Sequence, residues 1–89
     1  MMTYEQARKV IYDVKSSFLD CAIAGAVIAG EKTSSFDDLL QCLRRGGQAA
    51  SAAACALYAR TNRTAPNSPL EFVMDPEDWS KYLNQAGLR

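Results

Sequence analysis

A chain of 89 residues buries only roughly two-thirds of the surface its unfolded form exposes, so it sits near the lower limit of independent folding and gains from a partner or a second copy. Ten Lys/Arg balance ten Asp/Glu for a net charge of zero, which argues against a sequence-independent nucleic-acid binder and equally against an acidic mimic of DNA. Apolar residues reach 48%, too many for a disordered segment, and the chain reads as one all-α domain over residues 1–89, a small bundle of about four helices.

The first predicted helix is the longest and covers residues 4–29. Thr3 and Gln6 have the spacing of a capping box. Ala7, Ile11, Val14, Phe18, Cys21, Gly25 and Ile28 then recur at steps of four and three, a heptad seam that another helix must bury. From Phe18 onward the only charged residue before Gly30 is Asp20. Apolar groups there surround the whole circumference, which is the pattern of a helix covered on all sides.

The second predicted helix, residues 36–45, starts at the cap Ser35 and carries Phe36, Leu39, Leu40 and Leu43 on one face. Arg44 and Arg45 complement the dipole of its last turn, and Gly46-Gly47 break it, unless it runs on as a kinked continuation. Gly46-Gly47-Gln48 spells the tripeptide that peptide-release factors use, but it stands where a helix boundary is required and reads as one. The third helix, residues 48–60, is nearly all alanine. Its thinness suits a close crossing against Ala22, Gly25, Ala26 and Ala29, at the short end of the usual range of roughly 8–10 Å.

Residues 61–74 read as a loop rich in Asn, Thr, Pro and Ser, ending in the short irregular segment Leu70 to Met74. Asp75 caps the last helix, residues 76–86, with Pro76 at its first position and Trp79, Tyr82, Leu83 and Ala86 on one face. Trp79 and Tyr82 with Phe72 form the one aromatic cluster, a core by default and an interface anchor by alternative.

No catalytic constellation emerges. Histidine is absent, which removes the usual general base, the usual partner of a nucleophilic cysteine and the commonest metal ligand. Cys21, Cys42 and Cys55 have no Cys-x-x-Cys spacing and cannot all pair within one chain, so neither a metal site, a cofactor site nor a disulfide framework is expected. The acid pairs Asp37-Asp38 and Glu77-Asp78 lie in first turns of helices, where the macrodipole favours them. Free thiols and the lack of a leader fit the cytoplasm, and the apolar run Cys21 to Gly30 is about half of a membrane span.

The expected function is therefore non-catalytic protein binding, as a stoichiometric inhibitor or adaptor. Its interface candidates are Ile11, Val14, Phe18, Gly25, Ile28, Trp79 and Tyr82, and its assembly a homodimer on the heptad seam. Short chains of this kind are frequent among phage and mobile-element products that block host machinery, anti-CRISPR proteins among them, by analogy of size and class alone. From Leu39 to Leu70 the only charged residues are Arg44, Arg45, Arg60 and Arg63. They supply the competing reading, a nucleic-acid or anion-binding regulator. A purely structural homo-oligomer subunit is the third.

Overall fold

In the computed structural model, whose described residues are 1–63 and 75–89, the chain is an all-α bundle with five helices among those residues: α1 (Tyr4–Tyr12), α2 (Phe18–Gly30), α3 (Phe36–Arg45), α4 (Gly47–Thr61) and α5 (Pro76–Gln85). The continuous first helix over residues 4–29 is not what forms. It is two helices, and α1, at nine residues, is the shortest of the five.

The break has a local cause. Asp13 leaves the helical region (φ −88°, ψ 113°) and its carboxylate accepts from the backbone N–H of Lys15 at 2.9 Å. The Ser16 hydroxyl donates to the Val10 carbonyl at 2.8 Å, and the Ser17 hydroxyl caps α2 by accepting from the Asp20 N–H at 3.1 Å. Three short polar side chains thus offer the backbone what continued helix would have offered, the competition that makes Ser and Asp poor helix-interior residues.

Elsewhere the capping chemistry acts as the sequence implies. Thr3 and Gln6 form a reciprocal capping box, Ser35 caps α3 and Asp75 caps α5. Between α3 and α4 there is one residue, Gly46, whose φ of 73° is followed by 60° at Gly47. Both angles lie in the region that costs a side chain most, so two helices meet here at a glycine corner rather than one kinked helix. Asn62, in the left-handed conformation, ends α4. The loop expected over 61–74 starts one residue later, because Thr61 still belongs to α4; its residues 64–74, with Phe72, lie outside the described residues.

α2 and α4 form the main pairing. Its closest point is Gly25, where a Cβ would stand 2.7 Å from both Cα and Cβ of Ala49. Ala49, Ala50, Ala53 and Ala54 of α4 and Cys21, Ala24 and Ile28 of α2 are all buried there, so the alanine-rich helix serves to bring two backbones together. α1 adds Ala7 and Ile11 to the same core, and α3 adds Leu39, Leu40, Cys42 and Leu43. α5 docks through Trp79 and Leu83, both fully buried. The Trp79 ring meets Tyr58 edge-on at 5.1 Å and Tyr82 at 6.0 Å, the arrangement aromatic quadrupoles favour. No helix among the described residues is long and apolar enough to cross a membrane.

Candidate functional site

The break between α1 and α2 divides the heptad seam. Ala7, Ile11, Cys21, Gly25 and Ile28 are buried within the chain's own core, whereas Val14 and Phe18 are 80% and 79% exposed. Of the other interface candidates Trp79 is fully buried and Tyr82 half-buried. The surface left open is one that the seam did not include. Leu19 (70% exposed), Ile23 (45%), Ala26 and Gly30 follow each other at steps of four, three and four along the side of α2 opposite its buried face. An outward helix face with no polar side chain across three turns is unusual on a monomer.

This face has relief. Its first half carries Leu19 and Ile23, its second half Ala26 and Gly30. Nothing lies within 4 Å of where a Cβ on Gly30 would stand, and a hollow of about 380 Å³ lined by Met1, Met2, Ala26, Val27, Gly30 and Glu31 opens beside it.

Sequence reasoning assigned Asp38 to the helix dipole and missed its larger role. Asp38 is 3% exposed and receives the Tyr4 hydroxyl at 2.6 Å, the Tyr12 hydroxyl at 2.7 Å and the Arg8 Nε at 3.0 Å. Its donors stand at positions i, i+4 and i+8 of α1, one face of that helix, and this spacing was the available signal. Burial by itself raises the Asp38 pKa, but the hydrogen bonds from Tyr4 and Tyr12 and the charge of Arg8 outweigh it and hold the carboxyl below its ordinary value. Burial, then the hydrogen bond to Asp38 and its negative charge, push both Tyr4 and Tyr12 up to about 12. Three of the roughly four acceptor positions of this buried carboxylate are thus taken by its own chain. The cluster clasps α1 to α3.

The four candidate arginines do not share a face. Arg60 donates to the Ser34 carbonyl and lies 4.6 Å over the Phe36 ring; Arg63 stacks 4.4 Å from the Tyr82 ring and 5.0 Å from Trp79. Both therefore work at the C-terminal end of α4. Arg44 and Arg45 stand at its other end, where they line a hollow of about 240 Å³ with Ser16, Phe18 and Cys21. Arg45 reaches across to the Ser16 carbonyl at 3.4 Å, while its Nε–H is buried without a hydrogen-bond partner, a state that costs about 1–3 kcal/mol. Among the described residues Arg44 meets Gln41 at 3.4 Å and Glu77 at 3.9 Å, and both charged groups of that ion pair are exposed, so the pair contributes little.

The three cysteines are free thiols, Cys21 and Cys42 buried and Cys55 exposed, and burial pushes Cys42 up to about 12. No group of three or more His, Cys, Asp or Glu placed to hold a metal occurs among the described residues. The chain matches no protein-family profile, no curated protein and no solved structure.

Proposed function

We propose that this chain is a protein-binding module acting stoichiometrically, as an inhibitor or adaptor, and that it assembles as a homodimer through the outer face of α2. The observation that carries the reading is the unbroken apolar row Leu19, Ile23, Ala26 and Gly30 facing away from the core. Water on that row is an uncompensated cost that a second helix removes.

A second copy suits the relief of the row. An antiparallel two-fold axis midway between Ala24 and Gly25 sets Leu19 of one copy opposite Gly30 of the other and Ile23 opposite Ala26, bulky against small at every position. The hollow beside Gly30 then receives Leu19 of the opposite copy. The nucleic-acid reading draws less support, because the arginines it needs are divided between the two ends of α4, and Arg60 and Arg63 at one end are engaged by the Ser34 carbonyl and the Tyr82 ring.

Light scattering on a size-exclusion column under reducing conditions tests this, with Leu19→Asp beside the parent chain. Leu19 is an exposed side chain, so the variant keeps its folding stability within about 0.5 kcal/mol and elutes as a monomer where the parent is a dimer. A parent that stays monomeric at every concentration removes the homodimer. A Leu19→Asp chain that still elutes as a dimer removes the outer face of α2 as the interface.

A further inference from the structure

Beyond the dimer face, we infer that the hollow lined by Arg44, Arg45, Ser16, Phe18 and Cys21 is a second binding site, one that takes an acidic side chain of a partner protein together with an apolar neighbour. The hollow lies on the α3 side of α2, because Cys21 and Ser16 form its wall and Arg44 and Arg45 end α3. It stays open when the outer face of α2 is covered.

Its chemistry is one-signed and two-textured. Both charged groups that line it are guanidinium groups, no acid shares the lining, and the exposed Phe18 ring forms an apolar shoulder. Arg45 lines the hollow and is tethered to the Ser16 carbonyl through Nη2, which leaves its other terminal nitrogen without a bond to the described chain. A guanidinium fixed in place with a donor in hand is arranged for a planar carboxylate, which two parallel N–H groups match. Arg44 already draws a carboxylate of this chain, Glu77, to a long and exposed contact at 3.9 Å. That contact is weak enough for an incoming acid to replace. The start of α4 at Gly46 and Gly47, which has no side-chain cap, lies against Phe18, with the Phe18 ring 3.6 Å from where a Cβ on Gly47 would stand, and it adds positive potential to the same neighbourhood.

The test is a titration of the full chain with the blocked dipeptide N-acetyl-Glu-Leu-amide, its neutral counterpart N-acetyl-Gln-Leu-amide, and inorganic phosphate, read from backbone amide and arginine Nε–H resonances. The acidic dipeptide is expected to shift the Arg45 Nε–H and the amides of Ser16 and Phe18 saturably, with the neutral dipeptide at least about fivefold weaker. Arg45→Lys keeps the charge but loses the fork, and abolishes the preference for the acidic peptide. Because that variant also releases the Ser16 tether, Arg44→Gln is the milder companion and weakens binding about two- to fivefold. Glu77→Gln, which frees Arg44, strengthens it. Equal shifts from both dipeptides overturn the carboxylate assignment, tighter binding of phosphate overturns the peptide class, and no saturable shift at either arginine overturns the site. Repeating the titration on Leu19→Asp separates this proposal from the dimer: the hollow titrates in the monomeric variant whether or not the parent dimerises.

Discussion

The inner and outer faces of α2 are made of the same kind of residue and differ only in whether anything covers them. On the inner face Gly25 lets the Ala49 backbone approach until a methyl group no longer fits. On the outer face Gly30 opens onto space, and Leu19 and Ile23 stand in solvent. Small residues thus serve contact inside and make a vacancy outside, so residue type alone does not say which face of an apolar helix is core. Gly25→Leu breaks the comparison on its inner side with the largest effect. The new side chain must displace backbone rather than a flexible tip, and we expect a loss of about 3 kcal/mol or more in denaturant unfolding. A variant as stable as the parent would mean that the α2–α4 crossing is looser than the contact with Ala49 requires.

α1 is tied to α3 by a single buried carboxylate, Asp38. The clasp gathers Tyr4, Arg8 and Tyr12 from one side of α1 onto the first turn of α3, after the chain has turned at Asp13–Ser17. Asp38→Ala leaves two hydroxyls and a guanidinium without their shared acceptor and is expected to cost about 2–3 kcal/mol. The pH dependence carries the same signature. The folded-state pKa of Asp38 lies below its ordinary value of 3.8, so its contribution is present above about pH 4 and is lost as pH falls through the folded value. Tyr4 and Tyr12 are raised to about 12, so theirs is present below about pH 10 and is lost as pH rises toward 12. Stability measured against pH should therefore fall at both ends. Asp38→Asn should flatten the acid limb, and the double variant Tyr4→Phe, Tyr12→Phe the alkaline one. An acid limb unchanged by Asp38→Asn would place the acid sensitivity in other carboxylates.

The helical class, the caps at Thr3, Ser35 and Asp75 and the close approach of the alanine-rich helix at Gly25 were legible because each rests on a local pattern with its own physical cause, whereas Ala26, expected in that crossing, is exposed on the outer face. The division of the first helix was not, because the heptad count ran across Asp13 to Ser17 without weighing three adjacent side chains able to bond the backbone. Ser17 and Asp20 have the spacing of a cap and its N3 residue, the signal that separates two helices from one. With the helix divided, most members of the heptad seam are core, and Leu19 and Ile23, outside that seam, are exposed. The clasp was hidden differently. Nothing at residue 38 announces three donors on another helix, and only the tertiary packing of α1 on α3 brings them together.

The smallest expected effect on folding belongs to Gly30→Leu, and it sharpens the comparison most. The same substitution that ruins the inner face at Gly25 places its Cβ at Gly30 with nothing within 4 Å, so folding stability should hold or rise by up to about 1 kcal/mol from the higher helix propensity of leucine. Association should respond the other way. If Leu19 of a second copy needs the space beside Gly30, filling it weakens the dimer about tenfold, which sedimentation or light scattering reads directly. A Gly30→Leu chain that dimerises like the parent would leave Leu19 and Ile23 as the docking surface but would rule out the antiparallel register, because in that register the bulky half of one α2 has nowhere else to go.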